Sequence, residues 1–459
     1  MTEKFDAIVI GTGQAGPSLA VRLAHAGRKT AIIERKLFGG TCVNVGCIPT
    51  KTLIASARAA HVARHAADYG VIVDGDIHVD MRKVRARKDA VVHESNTGVA
   101  NWLRGTAGLT VIEAHARFED ARTVRAGDRL LEAAEIFINT GGRALVPDMP
   151  GLAEVDYFTN SNMMQVDFLP EHLIIVGGSY IGLEFAQMYR RFGSRVSVIE
   201  MGPRLIARED PEISAAVQAI LEAEGIAIRL KAECVKVSKR GEGVAINVSC
   251  EEEPREIAGS HLLLAVGRVP NTADLGLDRA GVNTDVRGYI TVDDELRTSV
   301  PGIWALGDVN GRGAFTHTAY NDYEIVAANL LDGDARRVTD RISAYALFVD
   351  PPLGRAGMSE QEVRKSGRPA LIGTMPMSRV GRARERGETQ GMMKVLVDAE
   401  TRLILGAAIL GIEGDEAIHA VLDLMYARAP YTVMQRAMHI HPTVSELIPT
   451  LLGNLKPLV

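Results

Sequence analysis

The feature that most constrains this chain is a pattern it carries twice. The stretch FDAIVIGTGQAGPSLAVRLAHAGRKTAIIER, Phe5 to Arg35, opens on an apolar run and turns on Gly11, Gly13 and Gly16. It continues with helical spacing at Leu19, Leu23 and Ala26, then returns through a second apolar run to Glu34. HLIIVGGSYIGLEFAQMYRRFGSRVSVIE, His172 to Glu200, repeats the order, with Gly177, Gly182 and Glu200 in the matching places and Ser179 where the middle glycine would stand. Glu34 follows Gly11 by 23 residues, and Glu200 follows Gly177 by 23. Strand, G-x-G-x-x-G turn, helix, strand and terminal acid together form a dinucleotide-binding unit. The glycines let the backbone approach a pyrophosphate at the helix amino terminus, and the acid meets the adenosine ribose. One chain is therefore expected to hold two dinucleotides. Ser179 adds bulk in the second turn and predicts weaker binding there. Pro17 is tolerated because a first-turn residue has no intrahelical partner for its missing N–H.

Around these units, 459 residues exceed a single ordinary core and suggest about three domains at roughly 150 residues each. A net charge of −5 offers no attraction to phosphate backbones or anionic lipid, so neither nucleic acid nor membrane is an expected partner. The start, MTEKFDAIVIG, lacks a secretory pattern, and no apolar run reaches the roughly 20 residues of a membrane span. The expected location is the cytoplasm.

Only four cysteines occur, and two stand five positions apart in GGTCVNVGCIPTK, Gly39 to Lys51. Cytoplasmic cysteine pairs are more often catalytic or redox-sensing than structural. A disulfide across so short a loop constrains little unfolded-state entropy, whereas a thiolate near a helix start or a cation is available for exchange chemistry. Zinc is excluded by ligand count, since two thiolates leave its tetrahedron half empty; no metal site is expected. Cys234 and Cys250 read as ordinary small side chains.

Three further runs carry signals. IFINTGGRALVP (Ile136 to Pro147) and LLLAVGRVPNT (Leu262 to Thr272) read as the closing strand and exit turn of each nucleotide unit. GIWALGDVNG, Gly302 to Gly311, ends an apolar strand in Gly-Asp, so that Asp308 is either a turn former or a ligand to a sugar hydroxyl. MHIHPTVSELI, from Met438, holds His439, His441 and Glu446. Pro442 keeps His441 out of helical geometry, and Thr443 to Glu446 also reads as a capping box.

Two dinucleotide units flanking a Cys-x4-Cys, together with WALGDV and HIHPTVSE, resemble the class I pyridine nucleotide-disulfide oxidoreductases, from Phe5 to Glu446. The resemblance implies an α/β fold of two Rossmann-like dinucleotide-binding domains plus a C-terminal α+β dimerisation domain. The expected divisions are 1–150 (FAD-binding, with the redox pair), 151–272 (NAD(P)H-binding), 273–340 (return to the FAD domain) and 341–459 (dimerisation).

It implies FAD in the first unit, at Gly11, Gly13, Gly16, Glu34, Gly40, Thr41, Lys51, Thr140, Gly141 and Asp308, with Asp308 on the ribityl chain. NAD(P)H falls to Gly177, Gly182, Glu200 and Gly267. Glu200 suits the free ribose hydroxyl of NADH, while nearby Arg204 leaves NADPH open. Cys42 and Cys47 become a redox disulfide, Cys47 against the flavin and Cys42 toward substrate. Lys51 and Glu184 become an ion pair near the reactive flavin nitrogen. His441, oriented by Glu446, becomes the acid/base, a task suited to an imidazole whose pKa of about 6.5 lies near working pH. His441 would serve Cys42 of a second subunit, so a homodimer is expected.

The implied activity is reduction of a small-molecule disulfide or a thiol-reactive metal ion in the manner of mercuric reductases. Dihydrolipoyl dehydrogenase is the alternative enzyme, and a flavoprotein redox sensor the alternative of another class. The chain departs from usual mercuric reductases in having no cysteine after Cys250.

Overall fold

The structure is a computed structural model that describes residues 1–249 and 255–459; Cys250 lies outside the described residues. Among these, the strands gather into five sheets. The first two repeat one design, as the sequence predicts.

In the first sheet, the opening strand Thr2–Ile10 lies parallel between Thr30–Glu34 and Arg129–Ile138, with Leu109–Glu113 beyond Thr30–Glu34. Ile303–Ala305 returns from far along the chain to pair in parallel with Arg129–Ile138. The second sheet places His172–Val176 parallel between Arg195–Ile199 and His261–Leu264. Ala227–Arg229 and Phe158–Thr159 form its two edges. Parallel strands covered on both faces must be apolar along their length. Ala7, Ile8, Val9 and Ile10 accordingly lie buried in the first unit, and Leu173, Ile174, Ile175 and Val176 in the second. Each valine, leucine or isoleucine among them contributes about 1.5–3 kcal/mol on burial.

The helices that follow the glycine turns, Gly16–His25 and Tyr180–Phe192, start one turn past the central strands. Pro17 stands in the first turn of its helix, where its missing N–H costs nothing. The remaining large sheet is antiparallel and six-stranded. Its centre is the fully buried pair Met392–Asp398 and Ile404–Leu410, with the helix Gly414–Tyr426 beside them. A buried ionic cluster ties this sheet to the second nucleotide unit: Arg355 meets Asp210 at 3.2 Å, and Lys394 meets Asp210 at 3.1 Å and Glu360 at 2.6 Å. The chain is thus α/β with two Rossmann-like units and a C-terminal α+β unit, the class expected from sequence. Among the described residues, no helix is long and apolar enough to cross a membrane.

Candidate active site

The two glycine turns are built alike, bond for bond. Gly11 N–H donates to the Ile33 carbonyl at 2.8 Å, and Gly177 N–H to that of Ile199 at 2.8 Å. One residue on, Thr12 N–H donates to Glu34 Oε2 at 3.0 Å, and Gly178 N–H to Glu200 Oε2 at 2.7 Å. Gly11 and Gly177 have φ of +102° and +113°, which only glycine adopts without strain. A Cβ on Gly16 would strike the carbonyl oxygen of Gly11, and one on Gly182 that of Gly177. The first glycine thus makes each tight turn and the third lets the helix pack directly against it, which sets the helix start beside the strand end.

The departure at Ser179 has a local cause. Asn139 is buried beside the first turn, where its Oδ1 accepts from Gly16 N–H at 3.0 Å and its Nδ2 donates to the Leu306 carbonyl at 2.8 Å. A Cβ on Gly13 would come within 2.8 Å of that Oδ1. In the second unit Ala265 takes the same place, its N–H on the Val176 carbonyl at 2.8 Å as Asn139 N–H is on that of Ile10. Alanine presents no such oxygen, so the middle glycine is not required. The side chain of Ser179 is exposed, so it fits within the protein's own packing of that turn.

The terminal acids are already at work within the protein. Glu34 accepts from Thr12 N–H, from Thr12 Oγ1 at 2.6 Å and from Lys36 N–H at 2.9 Å. Glu200 accepts from Gly178 N–H and from Gly202 N–H at 2.6 Å. A carboxylate offers about four acceptor positions, so Glu200 retains more capacity for a sugar hydroxyl than Glu34. Arg204 Nη2 donates to the Ala207 carbonyl at 2.9 Å.

Gly40 and Thr41 sit in the short helix Gly40–Asn44, with Gly40 pressed so close to the first turn that a Cβ would meet Gly13 Cα at 2.8 Å. Thr140 Oγ1 donates to the Asn271 carbonyl at 2.9 Å. Gly141 and Gly267 both have positive φ, and the strands beyond them, Gly142–Ala144 and Arg268–Pro270, pair antiparallel. Asp308 lies 3.3 Å from Arg268 Nη2, and its burial nevertheless raises its pKa above the usual aspartate value.

Both redox-candidate cysteines are free thiols in this structure. Cys47 is the first residue of the helix Cys47–Arg64, and Cys42 lies in the preceding short helix. Cys47 Sγ rests 3.1 Å from Thr316 Oγ1, at the start of the helix Thr316–Ala327. The thiol of Cys47 is lowered to about 6, first by its hydrogen bond with Cys42, then by Thr316 and by the nearby charge of Lys51; burial and the charge of Glu184 act the other way. Cys42 is driven in the opposite direction, raised chiefly by the same hydrogen bond and then by burial. One proton is shared between two sulfurs, and the charge settles on Cys47.

One turn along the same helix, Lys51 Nζ meets Glu184 Oε2 at 2.7 Å and lies 4.4 Å from the centre of the Phe348 ring. Glu184 is buried, and its Oε1 accepts from Phe348 N–H at 3.1 Å. The pair is thus an internal bridge between the redox helix and the second nucleotide helix.

His441 and Glu446 form a unit of their own, with His441 Nδ1 2.8 Å from Glu446 Oε2. A carboxylate only accepts, so Nδ1 carries the proton and Nε2 is left free. This use of Glu446 replaces the capping box that Thr443 to Glu446 otherwise suggests. Arg382 Nη2 steadies the segment by donating to the Pro442 carbonyl at 2.8 Å. The imidazole is 80% exposed, and among the described residues no hydrogen bond joins it to Cys42 or Cys47 within the chain. Sequence reasoning missed Asn139, Thr316, Phe348 and Arg382.

A sequence profile for pyridine nucleotide-disulphide oxidoreductases matches residues 5–322, and the profile of that family's dimerisation domain matches residues 343–452. The probable pyridine nucleotide-disulfide oxidoreductase RclA of Escherichia coli strain K12 is 35% identical over 99% of this chain and 100% of its own length. Mercuric reductase of Streptomyces lividans is 33% identical over 97% of this chain and 94% of its own. The solved Cu(II) complex of the HOCl-induced flavoprotein disulfide reductase RclA from Escherichia coli superposes with a TM-score of 0.90 at 35% identity, over 98% of this chain and 100% of that one.

The Cys47 microenvironment generates a pH prediction. In the reduced protein, alkylation of Cys47, followed by mass spectrometry of its peptide, should reach half its limiting rate near pH 6, against about 8.5 for an ordinary thiol. Lys51→Met removes a charge that favours the thiolate, so it should move that midpoint upward; an unchanged midpoint would contradict the assignment of that charge.

Proposed function

This chain belongs to the pyridine nucleotide-disulphide oxidoreductase family, and on that premise we propose that its Cys42–Cys47 pair carries electrons from a reduced nicotinamide to a disulfide or a thiol-reactive metal ion. The family membership makes the protein a flavin-dependent enzyme that uses FAD and a pyridine nucleotide. The observation that carries the proposed path is the Lys51–Glu184 contact at 2.7 Å. It brings the second nucleotide helix against the helix that starts at Cys47, which supports a reading in which both nucleotides meet at the sulfur pair.

In this reading the first glycine turn holds the pyrophosphate of FAD, Asp308 its ribityl chain, and the second turn the nicotinamide nucleotide. FAD, when bound, supplies an acceptor for the electron pair of the reduced nicotinamide and passes that pair to sulfur. Every remaining step falls to side chains. The hydrogen bond from Cys42 and the charge of Lys51 keep Cys47 charged, while Cys42 retains the shared proton and needs a base to become a nucleophile. His441 Nε2 takes that proton, and Glu446 holds the ring in the tautomer that permits it.

With a disulfide substrate, the Cys42 thiolate attacks one sulfur and forms a mixed disulfide, and the departing thiolate takes its proton from His441. Cys47 then attacks Cys42, releases the second thiol and restores the Cys42–Cys47 disulfide. The balance is NAD(P)H, H⁺ and one disulfide in, NAD(P)⁺ and two thiols out. A thiol-reactive metal ion is the second substrate class, supported by the Cu(II) complex of the RclA relative. The dihydrolipoyl dehydrogenase alternative is not favoured, and a redox sensor has no need of the His441–Glu446 unit.

His441 stands beside Met438 and Ile440, which are 100% and 78% exposed. With the dimerisation-domain match, these bare apolar side chains support a homodimer in which His441 of one subunit serves Cys42 of the other. NADH is the preferred nucleotide: Glu200 has acceptor capacity for a ribose hydroxyl and would repel a 2′-phosphate.

Mixing tests the shared site. Cys42→Ser and His441→Ala should each abolish most NADH-dependent reduction of disulfide or cupric acceptors, with loss of the acid/base alone costing about 10²–10⁴-fold. Co-refolded in equal amounts, the two variants should recover about a quarter of wild-type turnover, because half the dimers then hold one complete site. No recovery would contradict a site built from two subunits. For the nucleotide, kcat/KM should be higher with NADH than with NADPH; the reverse order would overturn the role given to Glu200.

A further inference from the structure

The hydroxyl against Cys47 comes from a residue 269 positions away, outside every motif. We propose that Thr316 is a catalytic residue, whose hydroxyl donates a hydrogen bond to the Cys47 sulfur and holds it in its charged, electron-transferring form. The inference rests on the electron path proposed above. Either atom could donate in the dithiol, but a thiolate only accepts, so once Cys47 ionises the donor must be Thr316. Such a bond is stronger to the charged form than to the neutral one, and a bond that strengthens on ionisation favours it.

The surroundings fix that hydroxyl in place. Thr316 is the first residue of its helix, where the backbone dipole also favours negative charge. The helix start is clamped from both sides. Phe315 N–H donates to Thr318 Oγ1 at 3.1 Å, and Thr318 Oγ1 donates back to the Phe315 carbonyl at 2.7 Å. The His317 imidazole bonds the Ala344 carbonyl through Nε2 at 2.7 Å, and Phe315 stacks on Tyr345 with centroids 5.4 Å apart. One turn further on, Asp322 accepts from Gly307 N–H at 2.8 Å and pairs with Arg341.

Neighbouring groups do not make the hydroxyl redundant. Cys42 makes the larger contribution while the dithiol persists, but its hydrogen bond is lost whenever Cys42 attacks substrate. The charge of Lys51 is offset by its own partner Glu184, which opposes ionisation of Cys47. Thr316 also bonds Cys42 in the dithiol, and once Cys42 attacks substrate it is the hydroxyl left to the inner sulfur.

The test reads Cys47 alone. In Cys42→Ser holoenzyme, the pH profile of Cys47 alkylation is followed by mass spectrometry, with Thr316 intact or changed to Val, Ala or Ser. FAD content and thermal midpoint report folding. Thr316→Val should raise the alkylation midpoint by about one pH unit, a tenfold loss of thiolate below it. Thr316→Ser should leave the midpoint where it was. Should the Val protein fail to retain FAD, Thr316→Ala is read in its place with the same expectation. An unmoved midpoint in the hydroxyl-free variants, or a Ser protein that shifts as far as Val, overturns the inference. Alkylation needs no turnover, so these outcomes remain readable even if the proposed electron path is wrong.

Discussion

The contact between Lys51 and Glu184 is the constraint from which the rest of the site follows. Lys51 belongs to the helix that starts at Cys47, and Glu184 to the helix that starts beside the second glycine turn. Glu184 is buried, and an unpaired carboxylate there would carry a desolvation cost of several kcal/mol. The pairing therefore ties two separately folded units together at a defined point. A second tie lies further along the same helices, where Arg58 meets Asp350 at 2.5 Å and Asp350 also pairs with Arg191. Gln187 accepts from Asp350 N–H at 2.7 Å between the two. Ties at both ends limit how far the sulfur pair can move relative to the second nucleotide unit.

Electrostatics then divide the labour between two sulfurs in one short loop. The Cys42 hydrogen bond, the Thr316 hydroxyl and the Lys51 ammonium converge on Cys47, whereas Cys42 is left holding the proton. This asymmetry suits the proposed relay, in which one sulfur exchanges electrons inward and the other meets substrate, better than a staple. It also explains why an imidazole is needed. A thiol whose proton is held so firmly requires a base, and His441, fixed by Glu446, has its free nitrogen turned outward rather than toward its own chain's cysteines.

Much of this was legible in sequence, and for identifiable reasons. The repeated fingerprint predicted the parallel strands at the centre of both sheets, because glycine turns and fully apolar strands leave few other ways to bury the chain. The 23-residue spacing of turn and acid reappears as the matched bonds of Glu34 and Glu200 to the turns they close. Lys51 with Glu184 and His441 with Glu446 were expected as pairs, and each is seen in contact. Less legible was anything set by long-range packing. That the fold tolerates a side chain at Ser179 follows from Ala265 standing where the first unit has Asn139. Thr316 gave no local signal, since its importance lies in which sulfur it touches. The segment Thr443 to Glu446 fitted a helix cap equally well, and only the direction of the Glu446 side chain separates that role from holding an imidazole.

The claim at the centre is that reducing equivalents leave the bound flavin through the Cys42–Cys47 disulfide. Anaerobic titration of the holoenzyme with NADH, followed by absorbance, tests it most directly. The first two electrons per subunit should reduce the disulfide, giving a long-wavelength band from the Cys47 thiolate against an oxidised flavin. The same band should be present in Cys42→Ser before any reductant is added, because Cys47 is then already free. Bleaching of the flavin at the two-electron point, with the disulfide still intact and no long-wavelength band, would contradict the account.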